Sequence, residues 1–123
     1  MSQNHKFNLE ERLINFSVEM INLTKSLEKS YASNYLGKQL LRSSTSPALN
    51  YGEAQSAESR KDFIHKIKIV LKELRESHIN LNIIEKTDNN ISKEKVNSAL
   101  NECNELISIF VKSVETAQKN VTS

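Results

Sequence analysis

Both glycines and the only proline of this 123-residue chain, Gly37, Pro47 and Gly52, fall inside one stretch, residues 36–54. Hairpins and sandwiches draw their tight turns from Gly and Pro, so a chain with almost none of either is left with helices. The apolar spacing inside the stretch is itself helical. Leu36, Leu40, Pro47, Tyr51 and Ala54 share one stripe, and Ser43 and Ser44 fill the gap between Leu40 and Pro47. A proline inside a helix removes one backbone donor and clashes with the carbonyl four residues back. Ser43, Ser44, Thr45 and Ser46 stand where their hydroxyls are expected to satisfy the freed carbonyls. The stretch therefore predicts a long, proline-kinked second helix that persists across residue 47. Gly37 and Gly52 are expected to admit a close neighbour.

The remaining segments follow the same rule. Leu9, Leu13, Phe16, Met20, Leu23 and Leu27 step by four and three, and Asn8 with Glu11 makes a start signal of the capping-box kind. Ser33 is the expected cap of the second helix. Ser59 and Asp62 open a third, whose core row is Phe63, Ile67, Val70, Leu74, Leu81 and Ile84, with Ser77 or His78 at the missing step. After the polar loop Lys86–Asn90, Ser92 caps a fourth helix carrying Val96, Leu100, Cys103, Ile107, Phe110, Val114 and Val121. Four amphipathic helices with short polar connections predict an all-α, up-down-up-down antiparallel four-helix bundle. The expected bounds are 8–29, 33–55, 59–86 and 92–119, one domain over 8–119. Residues 1–7 are expected to be disordered and 120–123 to form a tail.

Composition narrows the function. Charged residues make up 26% and the net charge is +2, so any claim on nucleic acid must come from local distribution. The single Cys103 cannot form an internal disulfide and fits a reducing compartment. No apolar run follows a basic segment near Met1, and no window is long enough to span a membrane, so a cytoplasmic protein is expected. Carboxylate-bridged metal bundles use Glu-x-x-His pairs, and this chain has none. His5, His65 and His78 make no zinc-binding pair, and no glycine-rich loop is present to cradle phosphate. Cys103 lies on the core row as an inert thiol. The expectation is a non-enzymatic protein with no metal, cofactor or small-molecule substrate.

Two patterns exceed what a bundle needs. Lys61, His65, Lys68, Lys72 and Arg75 step by four and three and share one face of the third helix. Residues 60–75 hold six Lys or Arg against Asp62 and Glu73, a local +4 in a chain totalling +2. Such a stripe is either an ordinary solvated face or a track for a phosphate backbone. Lys38 and Arg42, four apart on the second helix, can join it. That face carries no aromatic residue for stacking on bases. Secondly, Ile14, Val18 and Ile21 flank the core row of the first helix, and Ile64 and Leu71 that of the third. These rows either widen the core face or meet another copy of the chain.

With those residues laid out, the chain resembles the bacterial four helix bundle protein family, also called the intervening-sequence or S23 family. Some of its members are encoded inside insertions in large-subunit ribosomal RNA genes. The resemblance rests on Gln39-Leu40-x-Arg42 followed by Ser46, Asn50 and Glu53, with Leu41 in place of the family's first arginine and the proline one step early. It covers about residues 9–118. It implies a four-helix bundle, homo-oligomerisation (pentameric rings in several members) and no catalytic motif. A distant relative, the accessory protein of diversity-generating retroelements, is a basic pentamer that binds nucleic acid and a reverse transcriptase. Two functional readings follow. One is an oligomeric binding module engaging RNA or DNA through Lys38, Arg42 and the helix-three stripe. The other is a structural or protein-interaction scaffold without nucleic-acid binding, whose basic face pairs with acidic residues of a neighbouring subunit. Lys38 and Arg42 facing Glu53, Glu73 or Glu76 across an interface would take the main support from the binding reading.

Overall fold

The computed structural model describes residues 8–122, with side chains to Asn120. Four helices make it up: α1 (Leu9–Thr24), α2 (Tyr31–Gln55), α3 (Arg60–Thr87) and α4 (Lys93–Thr122). Each packs on the next in the chain, and α1 closes the bundle against α4. The expected four-helix bundle is the fold. The segment 1–7 and the Val121 side chain lie outside the described residues, and α4 runs on through the expected tail to Thr122.

Every helix starts on a polar side chain that accepts from an otherwise unpaired backbone N–H. Asn8 accepts from the Glu11 N–H at 3.3 Å, and its amide returns a bond to the Glu11 carboxylate. Ser59 and Ser92 accept from Asp62 and Lys95 at 3.0 and 3.2 Å. The second cap differs from expectation. Ser30, not Ser33, accepts from the Ser33 N–H at 3.1 Å, while Ser33 is buried within the first turn.

The first helix ends at Thr24, five residues short of the expected bound at 29 and three short of Leu27, the last of its apolar row. Turn bonds from the Ser26 and Leu27 N–H to the Leu23 and Thr24 carbonyls replace the helical ladder. Leu27 then leaves the helix and folds over Gly37, where an added Cβ would lie 3.3 Å from Leu27 Cδ1. The close approach expected at Gly37 is therefore real. At Gly52 it is not: an added Cβ would meet nothing within 4 Å. Gly52 lies on the last turn of α2, which extends past the start of α1, so no neighbour reaches it.

The core follows the sequence rows. Leu13, Phe16, Met20, Leu40, Ile67, Val70, Leu74, Leu81, Val96, Cys103 and Phe110 are essentially inaccessible. Ser77 takes the missing step of α3. Leu106, which lies between the expected rows of α4, is buried as well. α2 runs unbroken through Pro47. The expected service of the freed Ser43 carbonyl is not what the hydroxyls give: Thr45 Oγ1 donates to Leu41 at 2.7 Å, and from α1 the Ser17 hydroxyl donates to the Ser44 carbonyl at 2.9 Å. Ser43 Oγ instead centres a small polar core, 2.9 Å from Ser77 Oγ and 3.3 Å from the Asn80 amide.

Candidate nucleic-acid interface

Which cations remain available is decided by helix pairing. Arg12 on α1 grips Glu102 of α4 with two bonds, 3.0 and 2.7 Å, and reaches Glu105 at 3.1 Å. Arg42 on α2 bonds Glu73 and Glu76 of α3 at 3.0 and 2.7 Å. Lys66 on α3 returns the link, bonding Glu53 of α2 at 2.6 Å. These three cations have their charge answered by carboxylates of neighbouring helices, and hydrogen bonding to those carboxylates raises the pKa of each.

Lys61, His65, Lys68, Lys72 and Arg75 are among the basic side chains left without a carboxylate partner. All five are exposed on the outward face of α3, and none has an ion pair or hydrogen bond to another described residue. Their span, fourteen residues of straight helix, is about 21 Å at 1.5 Å per residue. The structure does not bring Arg42 to this track as a free cation, because Glu73 and Glu76 hold it on the α2 side of α3. Lys38 is exposed on a different edge, lining a groove with Thr24, Leu27, Asn34, Gly37 and Leu41 between α1 and α2. Of the expected Lys38–Arg42 pair, one turn apart on α2, only Lys38 is without a carboxylate partner.

The second apolar rows also divide. Ile14, Val18 and Ile21 on α1 are 46%, 48% and 37% exposed, so the bundle covers about half of each and leaves the rest to solvent. Leu71 packs against the bundle's own core on its partly buried side, and Ile64 is half-buried. The wide-face reading therefore describes Ile64 and Leu71, and of the two expected second rows that of α1 is the more exposed.

The run Gln39, Leu40, Arg42, Ser46, Asn50 and Glu53 receives a physical role. Leu40 is core; Arg42 and Glu53 supply the two ion pairs to α3; the Asn50 amide donates to the Ser46 carbonyl and hydroxyl at 3.1 and 2.9 Å. Gln39 is half-buried and makes no bond. The motif joins α2 to α3. Glu73 and Glu76 were legible as acidic partners only across a subunit interface; the structure pairs Arg42 with them inside one chain, because nothing along the sequence sets the α2–α3 register.

Little here suits covalent chemistry. Cys103 is buried, donates to the Leu74 carbonyl at 3.2 Å, and burial, with Glu102 nearby, pushes its thiol up to about 12. Among the described residues no three His, Cys, Asp or Glu side chains gather to hold a metal, and no helix is long and apolar enough to cross a membrane. His78 is half-buried with its ring near the Asn82 amide at 3.2 Å, and His5 lies outside the described residues.

Residues 6–112 match the family model described as 23S rRNA-intervening sequence protein. A similar solved structure is a protein with unknown function from the S23 ribosomal protein family of Bacteroides thetaiotaomicron VPI-5482. It is 33% identical, with 85% of this chain and 96% of that chain covered and a TM-score of 0.77. No curated protein matches the chain.

Proposed function

We propose, for a chain that belongs to the 23S rRNA-intervening sequence protein family, a non-catalytic role as a homo-oligomeric module that binds the phosphate backbone of RNA or DNA along the outer face of α3. One observation carries the reading. The cations that link helices are neutralised by Glu53, Glu73, Glu76, Glu102 and Glu105, whereas the α3 stripe keeps five exposed basic side chains without a carboxylate partner. A row of like charges repels itself along the helix, so an anionic partner that spans the row relieves a cost the isolated chain bears. Each phosphate neutralised also releases condensed counterions.

Self-association is supported by the half-exposed Ile14, Val18 and Ile21 row. Burying such a side chain fully stabilises by roughly 1.5–3 kcal/mol, less here because each is already about half covered. A ring of copies, five by resemblance to the family, would set several α3 stripes around one assembly. Cys103 as a buried reduced thiol is compatible with a cytoplasmic setting.

Sedimentation of the protein alone and with a labelled oligonucleotide, over a series of salt concentrations, tests both parts. The expected result is a species heavier than the 14.0 kDa chain that carries the oligonucleotide at low salt and releases it as salt rises. For single strands the log–log slope is about −0.7 per phosphate contact. Lys68→Glu with Lys72→Glu should abolish binding while helicity stays unchanged, since both side chains are exposed and unpaired. No binding at low salt would leave the bundle as a protein scaffold, and a monomer throughout would remove the oligomer.

A further inference from the structure

Beyond Arg75 the outward face of α3 changes character. Ile79 and Ile83 continue it at 60% and 40% exposure. Across the groove α2 begins, and its first turns present Tyr31 and Tyr35 at 89% and 55% exposure. The α2–α3 register is fixed by Ser33 Oγ on the Asp88 carboxylate at 2.6 Å and by Ser43 against Ser77 at 2.9 Å. Tyr35, two residues in from Ser33, therefore stands level with Ile83 to Lys86. Tyr31 and Tyr35 are four apart, so their rings follow one another along one helix face. Neither ring has a hydrogen bond or ring contact to a described residue. Their mount is rigid all the same, since Ser30 caps this turn and Ser33 is tied to Asp88. Tyr31 contributes almost nothing to the core, and Tyr35 keeps more than half of its surface in water.

We propose that Tyr31 and Tyr35 form a stacking platform for the bases of a single-stranded nucleic acid whose backbone follows Lys68, Lys72 and Arg75. This rests on the phosphate-binding reading above and names the form of nucleic acid it takes. Cations alone accept a duplex as readily as a single strand, because both present phosphates. Flat exposed rings about two to three helical turns beyond Arg75, in line with the course of a strand leaving the track, favour the single strand, whose unpaired bases offer a free π-face, and they do so with little regard to sequence. Ile79 and Ile83 give the same bases apolar surface between the tyrosines and the basic track. The sequence hides this arrangement because the aromatics sit on one helix and the charges on another.

Fluorescence anisotropy with a labelled 15-nucleotide single strand (oligo-U, oligo-dT) and a 15-base-pair duplex separates the possibilities. Tyr31→Ala with Tyr35→Ala should weaken single-strand binding about tenfold or more, at the scale of base–aromatic stacking, and leave duplex binding and the salt slope unchanged. Tyr31→Phe with Tyr35→Phe should retain wild-type affinity, since the ring and not the hydroxyl stacks. Binding abolished by Lys68→Glu with Lys72→Glu but untouched by the tyrosine-to-alanine pair overturns the platform and leaves the basic track standing. An equal loss on duplex and single strand also overturns it. Wild-type protein that binds neither probe overturns both.

Discussion

Ser44 is a fully buried side chain whose hydroxyl has no hydrogen-bond partner, alone in this respect among the buried described residues. Its own carbonyl is served by Ser17 from α1, but its Oγ is left without a bond. An unsatisfied buried hydroxyl costs about 1–3 kcal/mol. Ser44→Ala, which keeps the Cβ and removes the orphan oxygen, should therefore stabilise the fold by about 1 kcal/mol in chemical denaturation. A loss of stability would mean that the hydroxyl has a partner. Ser43 next to it should respond in the opposite sense, because its hydroxyl joins Ser77 and Asn80 across the α2–α3 contact. Both serines were legible from the sequence as fillers of the apolar stripe. Which of them is bonded was not, because that depends on the rotation of α2 against α1 and α3.

At the scale of the element, α2 carries the two glycines in right-handed backbone, since no glycine in the described chain has positive φ. Neither is needed for a turn, and a helix-interior glycine is less favourable than alanine by roughly 0.5–1 kcal/mol. Gly52 has open space around it, so Gly52→Ala should gain about that amount. Gly37→Ala should gain less, because the new methyl meets Leu27 Cδ1 at 3.3 Å and the α1–α2 turn must shift to receive it. Paired thermal melts check the difference; equal gains would show that Leu27 does not confine this site. Helix existence was readable from periodicity, as was continuity of α2 through Pro47. The end of α1 was not. Leu27 keeps the apolar spacing but is buried by the turn over Gly37, and spacing alone does not distinguish a turn from another step of helix.

For the whole molecule the most connected buried group is Asp88, 5% exposed where α3 gives way to α4. Burial pushes its carboxyl up, but the Ser33 hydroxyl and the Glu28, Asn90 and Ile91 N–H groups outweigh that and hold it below its ordinary 3.8. Asp88 thereby fastens the α1–α2 connection to the α3–α4 connection, which the up-down-up-down course places at one end. A carboxyl lowered in the folded state stabilises above its unfolded pKa, and that stability is lost as pH falls from there through the folded value. Asp88→Asn should cost roughly 1.5–3 kcal/mol near neutrality, the range for hydrogen bonds to a charged group, and much less at pH 2. Urea titrations across that range would show it; a constant difference would mean that charge plays no part. The sequence by itself determined that the chain is helical, how many helices it has and which rows form the core, because those follow from local spacing, capping and the scarcity of glycine and proline. Only the tertiary structure decided that Arg42 is held by Glu73 and Glu76 while Lys68 and Lys72 stay free, and that Asp88 is clamped by Ser33. It also decided that Tyr31 and Tyr35 stand beside the end of the α3 track. The physical reason is that pairing across a groove depends on the rotation and axial register of one helix against another, set by many packing contacts at once and written in no single stretch of chain.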